Sequence, residues 1–324
     1  MFKKIILLFM SLIIAGCGDD NNKSDPMELN TNFRVVVDRG TDSFDVTDHY
    51  GALVVETGEF VYDTEMKPWS SWWYPSIDRD LFTNDDDLAP LEKYDEYLLL
   101  KHNKTTEAAH FEETKLYNPM QASWAGLCHA WAIASVLHRE PRRLIRKEGM
   151  NFSIADQKAL LLKSYENTGD LEIFGQRYDG LYDNDFQNIY PDQFHRFMQQ
   201  YLRDEGKPFI MDYDPSYPVW TVPVYLAKTS IVEVDRETMS VTTWVTYASP
   251  FVAQNFVGTR QIVKTYTYNL YGSWRNGQFT VTDGEWTGAS VYDHPDYVIA
   301  YPKNAQRGSY NKELEVRYID EILK

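Results

Sequence analysis

Hydrophobic positions follow two different periods along this chain. In the middle part, apolar residues recur at three- and four-residue spacing, which predicts helices that bury one face. From Trp220 onward apolar and polar residues alternate, which predicts half-buried antiparallel strands. The first predicted helix, PLEKYDEYLLLKH, lies within Leu88 to about Lys104. The others run from Cys128 to Arg139, from Ile154 to Tyr165 and from about Pro191 to Asp204. The predicted strands lie in the segments SIVEV, SVTTWVTY, VKTYTYNLYG, QFTVTDGEW and DYVIAYP.

Local signals mark where several of these elements begin and end. Ser153 and Asp156 form a capping-box-like start to the third helix. Pro191 opens the fourth helix, and Gly206 follows its end. Between two of the strand segments, Asn276-Gly277 predicts a two-residue hairpin turn.

The two ends of the chain complete the predicted fold. Phe33 to Tyr62 alternates β-branched and aromatic residues with polar ones, which predicts a few short strands. The last segment, YNKELEVRYIDEIL, predicts a closing amphipathic helix. Helices in the middle followed by a run of antiparallel strands indicate the α+β class.

The first residues have the features of a lipoprotein signal peptide. Lys3 and Lys4 are followed by an apolar run, Ile5 to Ile14, which is too short to span a bilayer as a stable helix. The run closes on Ala15-Gly16-Cys17, the lipobox pattern, so we expect residues 1–16 to be removed and Cys17 to carry the lipid. The protein would then be exported and anchored to a bacterial membrane, facing the periplasm or the cell surface. Gly18 stands where Asp would favour inner-membrane retention, which favours the outer membrane.

Composition and charge limit which structures and functions the rest of the chain can have. Residues 17–32 are polar and aperiodic, which predicts a flexible tether. We expect 33–324 to form a single catalytic domain, in which 33–62 is either integral, a small β appendage or a removable pro-segment. With 43% hydrophobic residues the chain is globular. A formal charge of −16 argues against nucleic-acid binding and against electrostatic attraction to anionic lipid.

Cys128 is the second of two cysteines, and lipidation of Cys17 leaves it without an intramolecular thiol partner. It lies where a helix is predicted to begin. A helix N-terminus favours a thiolate over a thiol, and its N–H groups can receive the oxyanion of a tetrahedral intermediate. Cys128 is therefore a candidate nucleophile, and the alternative is a buried structural cysteine.

A reactive thiol needs a base and a group that orients the base. Of the seven histidines, two fit best. His294 follows the thiol at the start of the last strand, an order found in papain-like cysteine enzymes, with Asp293 or Asp296 as the orienting acid. His195 lies on the fourth predicted helix, with Asp212 as the acid that follows it. Either histidine could instead be a partly buried imidazole with a structural role.

Several motifs along the chain resemble those of one family. The segment from Trp124 to Ala132, WAGLCHAWA, resembles the active-site segment of the transglutaminase elicitor family, the calcium-independent transglutaminases of oomycete cell walls with relatives in marine bacteria. Similar motifs in the same order cover most of the chain. They are PWSSWW at 68–73, PLEKYD at 90–95, FSIADQKAL at 152–160, FGQRY at 174–178, Phe194-His195, Asp212, Gly284-Glu285-Trp286 and Asp293 to Tyr297.

The resemblance implies a papain-like core in which a central helix carries the thiol and an antiparallel sheet forms from the C-terminal half. It implies acyl transfer by a Cys-His-Asp arrangement: Cys128 forms a thioester with a glutamine side chain, and a lysine or other primary amine resolves it. The partners would be protein substrates, and we expect no metal or cofactor. Trp124, Trp131 and Trp286 could wall the site against water, or simply pack in the core.

The sequence also departs from related patterns. Papain-like proteases carry Cys-Gly-Ser-Cys-Trp at the nucleophile, whereas this chain has Gly-Leu-Cys-His-Ala-Trp, which argues against proteolysis. Tyr292 stands where the family carries another aspartate.

The competing hypotheses for the function are a papain-like peptidase or amidase and a non-catalytic surface lipoprotein. Asn84 to Asp87 is interpreted as a solvated acidic turn, because no calcium-loop spacing accompanies it.

Overall fold

A computed structural model describes residues 34–36, 45–176 and 188–324. The expected signal peptide, Cys17 and the tether lie outside these residues. The helices are α1 (Asp45–Tyr50), α2 (Pro90–His102), α3 (Ala108–Phe111), α4 (Cys128–Leu137), α5 (Ile154–Lys163), α6 (Pro191–Met198) and α7 (Val316–Leu323). The strands are β1 (Arg34–Val36), β2 (Val54–Val55), β3 (Gly58–Asp63), β4 (Ile145–Lys147), β5 (Met150–Phe152), β6 (Glu172–Gly175), β7 (Phe209–Asp212), β8 (Thr221–Glu233), β9 (Thr238–Ala248), β10 (Gln261–Arg275), β11 (Gln278–Trp286) and β12 (Tyr297–Ile299).

One large, mostly antiparallel sheet organises the fold. Its strand order is β1-β6-β12-β7-β8-β9-β10-β11-β2, and β3 also pairs with β8. The alternating segments after Trp220 form β8 to β12, which confirms the period-two prediction. Asn276 and Gly277 have φ values of 51° and 81° between β10 and β11, which confirms the hairpin turn. The chain is therefore α+β, as expected.

The predicted helices are present with small differences at their ends. Ser153 accepts from the backbone N–H of Asp156 and caps α5. The helix that begins at Pro191 continues past α6 as a π-helical turn, Gln199–Asp204, before Gly206 at φ 62°. The C-terminal helix α7 is shorter than the predicted segment. Among the described residues, no helix has the length and apolar character needed to cross a membrane.

The segment predicted as short strands before residue 62 also contains helix α1. Its sequence, DVTDHY, offers too few apolar positions to show a helical period, so the helix depends on packing. Tyr50 at its end contacts Phe174, Phe197 and Tyr201 edge-on or tilted. Strand β2 then pairs with β11, and β3 pairs with the second half of β8. The segment therefore shares the main sheet.

Helices α4 and α5 hold the tryptophan-rich loop that precedes the acidic turn. Trp131 of α4 is fully buried and donates through Nε1 to the Trp69 carbonyl at 2.8 Å. Lys158 of α5, also fully buried, donates to the Ser70 carbonyl at 2.8 Å and pairs with Glu140 at 3.0 Å. Lys158 therefore joins α5 to this loop through the Ser70 carbonyl and to the segment after α4 through Glu140. Loss of one partner of such a buried ion pair costs about 3–5 kcal/mol.

Candidate active site

Cys128 is the first residue of α4 and is 5% exposed. Its Sγ lies 3.7 Å from the carbonyl oxygen of Val219, the residue two before β8. The first N–H groups of a helix have no acceptor within it and carry the positive end of the helix dipole. The thiol thus lies at the N-terminus of α4, next to the beginning of a central strand.

The backbone just before Cys128 is held by the tryptophan-rich loop. Leu127 donates its N–H to the Trp73 carbonyl at 2.6 Å, and Gly126 pairs with Pro75. A Cβ at position 126 would lie 2.7 Å from the Tyr74 carbonyl oxygen. The close approach requires glycine, because any side chain would push the two segments apart and move the start of α4.

Three strand ends meet at this position. Asp212 ends β7, Thr221 begins β8, and Tyr297 begins β12, in the sheet order β12-β7-β8. Asp212 Oδ1 accepts from the Trp220 N–H at 2.9 Å, and the Tyr297 hydroxyl lies 3.2 Å from the Thr221 hydroxyl. Because β12 runs antiparallel to β7, the residues just before β12 reach the same end of the sheet as Asp212.

His294 lies three residues before β12 and is 9% exposed. Its Nδ1 contacts the Ser290 carbonyl at 2.8 Å, and its Nε2 contacts Asn188 Nδ2 at 3.0 Å. Burial lowers the pKa of His294 below its ordinary value, and the hydrogen bond to Ser290 opposes that change in part. With Nδ1–H donating to the carbonyl, the Nε2 lone pair faces the Asn188 amide.

Asn188 is a site residue that the sequence analysis missed. It lies 106 residues from His294 along the chain, in no recognised motif. Its Oδ1 is buried and makes no hydrogen bond. Rotation of this amide by 180° would turn Oδ1 towards Nε2 and let it accept a hydrogen bond from Nε2–H when the imidazole is charged.

The expected acids occupy different environments. Asp293 is on the surface, with its side chain 51% exposed, and it pairs with Lys264. Asp296 and Asp212 are fully buried. The carbonyl of Asp296 also accepts from the Ile189 N–H at 2.8 Å, which ties the strand start to the residue after Asn188.

His195 lies in the core rather than at this end of the sheet. It is fully buried on α6, and its Nδ1 contacts the Tyr268 hydroxyl at 2.7 Å. That hydroxyl lies 3.0 Å from the hydroxyl of Thr243 on β9. Burial lowers the pKa of His195 to about 3, so the imidazole is neutral at physiological pH. His129, next to the thiol in sequence, contacts the Glu166 carbonyl at 2.9 Å.

The three tryptophans predicted to wall the site lie in three different environments. Trp131 is in the core, Trp124 is half-buried with its ring edge-on to Tyr217, and Trp286 stacks on His294. An aromatic cluster that was not predicted from the sequence lies beside Asp212. It consists of Trp73, Trp220 and Phe251, whose ring centroids lie 4.8–5.5 Å apart. In the described part of the chain, no group of three or more His, Cys, Asp or Glu side chains is arranged to hold a metal ion.

Comparisons with known proteins bear on the family and the fold. Residues 95–226, which include Cys128 and α4, match the family model of the transglutaminase elicitors. The crystal structure of the GP42 transglutaminase from Phytophthora sojae is similar to this chain with a TM-score of 0.67 and 16% sequence identity, over 87% of this chain and 96% of that one. No curated protein matches the chain. The resemblance to the transglutaminase elicitor family is therefore confirmed by the match over residues 95–226, and the fold is similar to that of the GP42 transglutaminase.

Proposed function

We propose that this protein is a protein-glutamine γ-glutamyltransferase, a transglutaminase. One observation supports the proposal most directly. Cys128 lies in the segment matched by the family model and begins the buried helix α4, and its Sγ contacts the residue two before β8. Buried Asp212 and Asp296, and His294, lie at or just beyond the neighbouring strand ends. We interpret α4 against this sheet as the papain-like core that the resemblance implies.

The reaction would proceed by two acyl transfers. The Cys128 thiolate attacks the side-chain carboxamide of a glutamine, and N–H groups at the start of α4 stabilise the oxyanion. His294, which took the thiol proton, gives it to the leaving nitrogen, so ammonia departs and a thioester remains. A primary amine then attacks the thioester, His294 accepts its proton, and collapse forms an isopeptide bond and returns the thiolate.

His294 suits the role of base better than His195. His294 lies three residues before β12, whose first residue, Tyr297, contacts Thr221 at the start of β8. His195 instead lies in the core, hydrogen-bonded to Tyr268, with a pKa near 3. In the resting structure both nitrogens of His294 have protein partners, so catalysis requires the ring to exchange one of them for the thiol. Catalytic hydrogen bonds commonly form only in the substrate complex.

Asn188 would help to orient the His294 imidazole, a role that the sequence predicted for an aspartate. Asp293 is bound by Lys264 at the surface, and Asn188 contacts Nε2 of His294 directly. Asp212 and Asp296, buried at the strand ends, are the carboxyl groups that we propose stabilise the charged imidazole.

The aromatic cluster of Trp73, Trp220 and Phe251 suits a transferase. Water competes with the amine for the thioester, so apolar walls that limit its access favour transfer over hydrolysis. Trp220 is held next to the thiol region by its hydrogen bond to Asp212 and by its position directly after Val219.

We further propose that the enzyme acts at a membrane surface. Lipidation of Cys17 would anchor it there, preferably on the outer membrane, and the polar segment 17–32 would let the domain reach its substrates. Those substrates would be exported or envelope proteins that expose glutamine and lysine side chains.

The test is incorporation of a fluorescent primary amine into a glutamine-containing casein. We expect incorporation by the wild-type protein and none by Cys128→Ala, with Ser135→Ala on the same helix as the matched control. Ammonia release or cleavage without incorporation would instead indicate an amidase or peptidase. If the folded protein has no Cys128-dependent labelling by iodoacetamide, the non-catalytic hypothesis holds.

A further inference from the structure

A cavity lies between strands β2 and β3 and the far part of the helix that begins at Pro191. Its volume is about 340 Å³, within the range of roughly 300–1,000 Å³ that is common for small-molecule sites. Its lining includes Arg196, Arg203, Phe60 and Ile231, and contains neither Cys128 nor His294. On a chain of net charge −16, a cavity that contains two arginines is unusual.

Arg196 is the central polar group of this cavity. It is 8% exposed, and its Nε donates to the Gly51 carbonyl at 3.0 Å, while Nη2 donates to the Tyr50 carbonyl. Its Nη1 makes no hydrogen bond, and the nearest acidic oxygen is Asp204 Oδ2 at 3.8 Å. A buried guanidinium with an unused donor is costly unless an acceptor reaches it.

The charges of Arg196, Arg203 and Asp204 favour the binding of an anion. Asp204 is already bound by Arg203, which donates to Oδ1 at 2.6 Å and to Oδ2 at 3.1 Å. Two guanidinium groups therefore share one carboxylate. Burial lowers the pKa of Arg196 below its ordinary value, and the charge of Arg203 acts in the same direction. A ligand carboxylate at Nη1 would offset both effects.

The rest of the lining selects among anions. Val55 and Ile231 are buried apolar walls, and Phe60 adds an aromatic ring. Glu56, an exposed residue of the lining, disfavours a multiply charged anion such as phosphate. We propose that this cavity binds a small organic monocarboxylate with an apolar body, whose carboxylate pairs with Nη1 of Arg196.

The test is titration calorimetry of the full chain with hexanoate, in parallel with 1-hexanol and inorganic phosphate. We expect saturable binding of hexanoate alone and a melting temperature that rises with its concentration, because the ligand binds only the folded state. Absence of hexanoate binding, or equal binding of hexanol or phosphate, would overturn the proposal.

Arg196 also supports the backbone at residues 50 and 51, so its replacement could unfold the protein. Gln278→Glu avoids this, because Gln278 is an exposed residue of the lining and the change adds a negative charge there. We expect at least a tenfold loss of hexanoate affinity in Gln278→Glu and no change in Thr282→Glu, an exposed position on the same strand outside the lining. Equal affinity in both variants would contradict the assignment to this cavity. Amine incorporation is expected to remain normal in both, so this test is independent of the acyl-transfer proposal.

Discussion

The indole of Trp286 lies nearly parallel to the imidazole of His294, with ring centroids 5.2 Å apart and an interplanar angle of 14°. Trp286 is itself held by a hydrogen bond from Nε1 to the Ile189 carbonyl at 3.2 Å and by contact with the ring of Phe194. One face of the imidazole is therefore shielded from water by a fixed aromatic surface. Burial of this kind disfavours the imidazolium form and lowers the pKa of His294.

Replacement of Trp286 should raise the pKa of His294. In Trp286→Ala the imidazole becomes accessible to water, so its pKa should move up towards the ordinary value of about 6.5. Trp286→Phe keeps an aromatic surface and should show a smaller change. The measurement is an NMR titration of the His294 ring protons, together with the acid limb of the incorporation rate, which should move to higher pH in parallel. An unchanged or lower pKa in the alanine variant would contradict this role.

Asn188 should be required for the position of His294. We expect Asn188→Ala to reduce kcat on the order of 10- to 100-fold with little change in KM, because small misplacements of a catalytic group have effects of this size. Asn188→Asp places a negative charge beside Nε2 and should raise the pKa of His294, since an opposite charge favours the protonated form.

The control is Asn151→Ala on the exposed face of β5, which should retain full activity. If Asn188→Ala has the same pH profile and rate as this control, Asn188 has no part in orienting the base.

His195 should affect stability rather than the rate. Its pKa is about 3 in the folded state and about 6.5 in the unfolded chain, so below pH 6.5 the unfolded chain binds a proton that the folded chain does not. The free energy of unfolding should therefore fall by about 1.4 kcal/mol for each pH unit on acidification from pH 6.5 towards 3. Above pH 6.5 this contribution is constant.

Urea unfolding of wild type and His195→Gln at pH 7 and pH 5 tests this. The variant removes the titrating group, so its stability should decline less between the two pH values than that of the wild type. Its rate per folded molecule should stay near normal. A folded but inactive His195→Gln protein, beside an active His294→Ala, would reverse the assignment of the base.

The segment before residue 64 should be needed for a stable fold. Val46 and Leu53 are fully buried, and β3 covers the edge of β8 from Leu226 to Ile231. Each such apolar side chain contributes roughly 1.5–3 kcal/mol on burial, and an uncovered strand edge promotes aggregation. A chain that begins at residue 64 should therefore lose cooperative thermal unfolding, whereas one that begins at residue 33 should keep it. A soluble, more active chain beginning at residue 64 would instead support the pro-segment hypothesis.

Periodicity was enough to predict the elements that bury one face. Strand β9 alternates buried and less buried residues along most of its length, so its pattern is visible in the sequence. The start of α4 was also predicted from the sequence, because the apolar run begins at Cys128 within a recognisable motif. Helix α1 was not predicted, because it depends on packing against neighbours distant in the chain. Gln199–Asp204 was predicted as helix, but its π-helical form was not.

The sequence by itself determined the thiol, the α+β class and the two candidate histidines. It favoured Asp293 or Asp296 as the partner of His294, because only neighbours along the chain can be compared before the chain is folded. The tertiary structure decided the rest: it paired Asp293 with Lys264, brought Asn188 to Nε2 of His294, and buried His195 in the core. The physical reason is that the pKa of a side chain and the partner it binds depend on burial and on contacts across the sheet. Only the folded chain brings these together.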